Sequence, residues 1–186
     1  MRFAVVDVET TGNAGELNRI TEVGVVLVDD TEVVDTFHSL VDPGTSISPF
    51  VQNLTGITDE MVRGAPQFGA LAEKLDEMLR DRIFVAHNVQ FDWKMMKTEF
   101  KRCCIVFDPP RLCTVKLARR VFPGFPSYSL HKLTESLGLD DFRHHRAMDD
   151  TLACAEILKL AYDKVGPEKI LKEVKNLPSA KKAKAV

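Results

Sequence analysis

Asp7 and Glu9 stand two positions apart at the end of an apolar run, VVDVETTG over residues 5–12. Alternate residues of a strand share a face, so both carboxylates point one way while Val6 and Val8 point the other. Like charges held that close repel unless a cation lies between them. A second junction of this kind is AHNVQFD over 86–92. There His87 ends a short apolar stretch, Asn88 is placed to cap a helix, and Asp92 falls about one turn beyond it. The third is HHRAMDDT over 144–151, where His145 and Asp150 are five positions apart and His144 and Asp149 repeat that spacing. Spacing alone does not choose between the two pairs.

Each junction has a structural reading when taken singly: a strand dissolving into a turn at Gly12, an Asp at the positive end of a helix, a histidine held by local bonds. Jointly they say more. Four carboxylates brought into one cleft from separate segments are tolerable only around bound metal. A set made of oxygen ligands favours a hard cation, Mg²⁺ or Mn²⁺, over zinc. Two such ions about 3.5 to 4 Å apart are a standard device for in-line attack of water on a phosphodiester.

The elements that must position these groups are readable from periodicity. RFAVVDVE and RITEVGVVLVDD read as strands, and TEVVDTFHSLVDP as a third after an Asp-Asp turn, forming an antiparallel meander. SISPFVQNLTGITDEMV reads as short helical turns. APQFGALAEKLDEMLRD places Phe68, Leu71, Leu75, Met78 and Leu79 on one helical face. RIFVAH is a short apolar strand for the middle of a sheet, NVQFDWKMMKTEFKR a helix, and CCIVFDPP a fifth strand closed by two prolines. Helices follow in CTVKLARRVF, in SYSLHKLTESLGL up to Gly138, and in HRAMDDTLACAEILKLAYDKV. Strands first, then strand and helix in alternation, specify an α/β domain: a mixed five-stranded sheet flanked by helices.

With 186 residues, 45% hydrophobic and 28% charged, the chain fits one ordinary globular domain. No apolar run reaches the roughly 18 residues that span a bilayer, and the N-terminus lacks the pattern of a secretory signal, so a cytoplasmic location with no membrane contact is expected. The four cysteines show no zinc-ligand spacing. Residues 164–186 hold seven lysines against two glutamates, a surplus of five positive charges; the net charge is −2, so residues 1–163 carry −7. An acidic body does not hold nucleic acid by bulk charge, but it suits carboxylates that hold divalent cations. The expected division is a catalytic domain over 1–176 and a basic, disordered tail over 177–186.

DVETTG, HNVQFD and HRAMDDT together resemble the three motifs of the DEDDh subgroup of DnaQ-like 3′→5′ exonucleases, which includes the proofreading subunits of bacterial DNA polymerases. The similarity runs from about residue 2 to residue 163 and includes NRITEVGVVLVD, SPFVQNLTGITDEMV and SYSLHKLTESLGL. It implies a ribonuclease H-like fold and a two-metal-ion phosphodiester hydrolase using Mg²⁺ or Mn²⁺. Carried over, Asp7, Glu9, Asp92 and Asp150 are the metal ligands and His145 the general base; the family pattern of His, Arg, Ala, two free positions and Asp selects His145 with Asp150. Thr10, Thr11 and Gly12 would hold the terminal nucleotide, Gly12 leaving room for it, with His87 and Asn88 supporting. One departure is CTV at 113–115, where many relatives have Asp-Thr-Leu.

The expected reaction is release of nucleoside 5′-monophosphates from single-stranded DNA 3′ ends, in proofreading or repair, with a DNA polymerase as a candidate partner. The alternatives are an exoribonuclease that trims RNA 3′ ends or degrades short oligoribonucleotides, and a polymerase-bound scaffold subunit whose lysine-rich tail is the tether. An aspartyl phosphatase fits poorly, because Glu9 stands where its second Asp would be.

Overall fold

Nine residues, Arg2–Thr10, form the first strand, β1, and their alternation divides the domain into two faces. Ala4, Val6 and Val8 enter one hydrophobic core, and Phe3 and Val5 the other. Asp7 and Glu9 continue the odd-numbered face. A computed structural model describes residues 1–12, 17–139 and 146–177. His144 and His145 lie outside the described residues, as does the tail apart from Leu177.

β2 (Ile20–Asp29) and β3 (Glu32–Leu40) complete the meander, each antiparallel to its predecessor. The short helices α1 (Pro49–Thr55) and α2 (Asp59–Val62) and the longer α3 (Phe68–Leu79) then lead to β4 (Ile83–Ala86), which lies parallel to β1. Helix α4 (Gln90–Arg102) crosses to β5 (Arg111–Cys113), parallel to β4. The sheet order is β3-β2-β1-β4-β5. Four helices follow: α5 (Thr114–Val121), α6 (Leu130–Leu137), α7 (Ala147–Val165) and α8 (Pro167–Glu173). None of the described helices is long and apolar enough to cross a membrane.

Helices α3 and α4 cover the Val6 face, where Phe68, Phe84, Phe100 and Phe107 form a chain of aromatic contacts with ring centroids 4.7 to 5.7 Å apart. Helices α5, α7 and α8 cover the Val5 face through Leu117, Cys154, Leu158, Ala161 and Ile170. The last described segment returns to the sheet margin, where Arg111 and Lys175 form an antiparallel bridge through both backbone amides, at 2.9 and 2.8 Å.

Two local expectations are corrected. The fifth strand is not CCIVFDPP but the three residues after it. Cys104 sits at φ +59°, Phe107 turns into the aromatic chain, and two prolines lack the N–H a ladder needs, so pairing starts only when the Pro110 carbonyl accepts from Phe84 N at 2.8 Å. Asn88 does not cap α4. It occupies the left-handed region at φ +66°, which asparagine tolerates, and the helix starts after Val89 without a side-chain cap.

Helix α7 packs across β1 and β2, and Gly24 is what lets it come so close. A Cβ on Gly24 would stand 2.6 Å from both the Ala147 carbonyl oxygen and Thr151 Oγ1. The first turn of α7 therefore rests on bare β2 backbone. Gly24→Ala is expected to push the helix off the sheet and lower stability by about 1 to 3 kcal/mol in a denaturant titration. An unchanged midpoint would show that the helix can yield.

Candidate active site

The odd face of β1 delivers Asp7 and Glu9 beneath the N-terminus of α7, whose first turn carries Asp149 and Asp150. One carboxylate oxygen from each of Asp7, Glu9 and Asp150 lies within 4.8 Å of the other two. Asp92, in the first turn of α4 and only 2% exposed, accepts from Val8 N through Oδ1 at 3.3 Å and lies near enough to act on the charges of Asp7 and Glu9. The fold thus clusters three carboxylates from β1 and α7, with the fourth, on α4, as their electrostatic neighbour. The β1–β2 register slips between Glu9 and Thr10, and that bulge turns the chain away from the ladder just past the acidic pair.

The electrostatics are those of a site short of positive charge. Burial pushes the Asp7 carboxyl well above its usual range, and Asp92, Asp150, Glu9 and Glu22 push it further. Glu9 is pushed up to about 7 by burial, then by Asp150, Glu22 and Asp92, with Arg146 opposing. Asp92 also reaches about 7: burial raises it, bonds from backbone amides lower it, and Asp150 adds to the rise. Among the described residues this donor set fits a hard divalent cation: the candidate ligand atoms are carboxylate oxygens, three are within reach of a single ion, and Arg146 opposes their charge at Glu9.

The remaining residues named from the sequence surround this cluster in different ways. Thr10 is buried, its hydroxyl bonded to the Gly12 carbonyl. Thr11 exchanges bonds with Arg19, through Thr11 N to the Arg19 carbonyl at 2.9 Å and Arg19 N to Thr11 Oγ1 at 3.1 Å. The space beside Gly12 is taken by Asn18, whose Oδ1 would lie 2.8 Å from a Cβ there, so glycine at this position makes room for a side chain of the same loop. His87 Nε2 donates to the Tyr128 carbonyl at 2.9 Å and Nδ1 meets Thr114 Oγ1 at 3.0 Å. Burial holds that imidazole below its usual pKa, and it ties β4 to α5 and to the loop before α6. Asn88 is exposed.

Sequence reasoning missed Glu22. It is fully buried on β2, opposite Glu9 in the register, and accepts from Arg146 Nη2 at 2.7 Å and Nε at 3.1 Å, from Ala147 N at 2.9 Å, and from His38 Nε2 at 2.7 Å. Burial works to raise its pKa, but the bonds from Arg146, Ala147 and His38 outweigh it and hold the carboxyl below its ordinary range. The available signal was a single charged residue inside the apolar run ITEVGVVLV.

A mixed sheet in the order 3-2-1-4-5, with carboxylates from β1, α4 and α7 converging at one end, defines a ribonuclease H-like exonuclease. The chain belongs to the RNase T exonuclease family, which matches it over residues 4–158. The 3′-5′ exonuclease DinG of Staphylococcus aureus strain MRSA252 is 38% identical over 163 residues, 87% of this chain and 18% of that protein. The chain therefore spans under a fifth of the length of the curated relatives it matches. Among solved structures, exonuclease X in complex with 5′ overhanging duplex DNA superposes with a TM-score of 0.75 at 28% identity, covering 91% of this chain and 98% of that one. E. coli exonuclease I in complex with a dT13 oligonucleotide shares the fold, with a TM-score of 0.77 at 21% identity over 88% of this chain and 41% of that one.

Proposed function

We propose that this protein is a metal-dependent 3′→5′ exonuclease that removes nucleoside 5′-monophosphates from the ends of single-stranded DNA. The carrying observation is the cluster of Asp7, Glu9 and Asp150 with buried Asp92 beside it, Glu9 and Asp92 each pushed up to about 7 by burial and by Asp150. The structural likeness to exonuclease X over nearly the whole of that chain supports DNA as the substrate class. The family match and the DinG relative support the reaction and its direction.

Asp7, Glu9, Asp92 and Asp150 hold two divalent cations, Mg²⁺ or Mn²⁺, which supply the positive charge that phosphodiester hydrolysis requires. His145, neutral, accepts the proton of the attacking water as general base. The water oxygen bonds to the terminal phosphorus and the bond to the 3′ oxygen of the preceding nucleotide breaks, leaving a new 3′ hydroxyl. Thr10, Thr11 and Gly12, fixed through Arg19 and Asn18, border the terminal nucleotide.

The test is incubation with 5′-labelled single-stranded DNA and matched RNA, with and without Mg²⁺. DNA shortened stepwise from its 3′ end only in Mg²⁺ is the expected result. No shortening, or faster loss of RNA, overturns the reading or its substrate. His145→Ala is expected to slow the reaction by about 10² to 10⁴. Because only the neutral imidazole accepts a proton, wild-type turnover falls as pH drops through the pKa of His145. A His145→Ala variant that keeps the wild-type rate and acid limb at saturating Mg²⁺ would remove His145 from the role.

A further inference from the structure

Among the described residues, helix α7 has no side-chain cap of its own. Arg146 occupies the N-cap position in an extended conformation and offers the helix no side-chain hydrogen bond, although α7 is a 19-residue helix whose first turn must hold Asp150 in place. The first amides of a helix need acceptors, and here the acceptor comes from across the sheet: Glu22 Oε2 takes Ala147 N at 2.9 Å. The same carboxylate grips the Arg146 guanidinium through Nε and Nη2, and Glu22 is fully buried while the Arg146 side chain is 41% exposed. Two residues along β2, Gly24 supplies the close contact with Ala147 and Thr151.

We infer that Glu22 is the positioning residue of the catalytic segment, setting through Arg146 and the Ala147 amide the first turn that carries Asp150. The inference rests on the function proposed above. A carboxylate acting here has a property that packing lacks. It joins two segments separated by 124 residues in sequence at the point where both meet the metal ligands: Glu22 lies opposite Glu9, and Arg146 lies four residues before Asp150. His38 Nε2 on Oε1, at 2.7 Å, keeps the carboxylate from rotating away from Arg146. A reacting group displaced by about 1 Å loses on the order of 10²-fold in rate.

The experiment compares wild type with Glu22→Gln, Arg146→Ala and Arg146→Lys on single-stranded DNA, reading kcat and KM separately, alongside thermal midpoints. Gln keeps the acceptor for Ala147 N but not the ion pair, and Lys keeps the charge but not the fork. The expected result is a kcat loss on the order of 10²-fold in Glu22→Gln and Arg146→Ala, with KM changed little. Guanidinium ion should restore much of the loss in Arg146→Ala, because the vacated position opens to solvent; the same concentration of sodium chloride should not, and Glu22→Gln should not respond. A kcat close to wild type in either variant, or guanidinium that raises the thermal midpoint of Arg146→Ala without raising kcat, overturns the positioning role. Wild-type protein without nuclease activity overturns the function proposed above instead. The tether is then read from Ala147 amide exchange in Glu22→Ala, which is faster by about tenfold or more if Glu22 holds it and unchanged if it does not.

Discussion

Asp7→Asn is expected to lose about 10³-fold or more of the exonuclease rate in Mg²⁺ and, in the absence of divalent ions at pH 8, to melt at a higher temperature than wild type. Both effects have one cause. Asp7 is the carboxylate with four acidic neighbours acting on it, and burial adds to their repulsion. Asparagine keeps the shape and removes the charge. The loss in rate follows because several kcal/mol of charge-holding capacity disappear from the reacting centre, at one tenfold step per 1.36 kcal/mol. The gain in stability follows because the metal-free fold no longer confines that charge. Asp150→Asn should behave in the same direction. An Asp7→Asn variant retaining a tenth of the wild-type rate would remove Asp7 from the centre, and one that melts lower without metal would show that Asp7 holds the fold together.

The second large effect is a coupling between pH and divalent metal in thermal stability. Asp92 has an ordinary value of 3.8 and reaches about 7 in the fold, and Glu9 rises from 4.5 to about 7. A carboxyl with a raised folded-state pKa binds more protons folded than unfolded between those two values, so metal-free stability falls as pH rises from about 4 through 7 and stays low above it. At 1.36 kcal/mol for each tenfold change in proton affinity, buried Asp92 contributes on the order of 4 kcal/mol, which in a chain of this size corresponds to a midpoint shift of about 10 °C. Mn²⁺ or Mg²⁺ at pH 8 should restore that shift and at pH 5 should give little, because bound metal competes with the protons. Thermal melts at both pH values, with metal and with chelator, provide the check. Equal metal shifts at the two pH values would refute the coupling.

The parts of this molecule that sequence made legible are those governed by local periodicity. Alternation in β1 places Asp7 and Glu9 together, and helical spacing places Asp92 in a first turn. The order of strands and helices follows from apolar runs and turn residues. What was not legible depends on contacts between distant segments. Glu22 reads as one polar residue in a strand until Arg146 and Ala147, more than 120 residues away, are seen to close on it. Gly24 reads as a weak strand residue until the backbone of α7 fills the space where its side chain would be. His87 is placed beside the substrate by the resemblance of HNVQFD, and its bonds through both ring nitrogens to Thr114 and Tyr128 become visible only in the fold. The misplaced β5 has the same origin: Phe107 enters a core shared by three elements, which overrides the β propensity of the residues around it.

The bridge between Arg111 and Lys175 has a consequence for how the molecule behaves in a crowd. A three-residue margin strand such as β5 would offer its free amides to any extended chain, but the molecule's own backbone has already taken the amide and carbonyl of Arg111. The opposite margin, β3, is guarded differently: exposed Val33 and Val34 are flanked by Glu32 and Asp35, whose charges discourage strand-on-strand growth. Shortening the protein ahead of Lys175 would unseal one margin while leaving every carboxylate of the reacting centre in place, so solubility would suffer before chemistry.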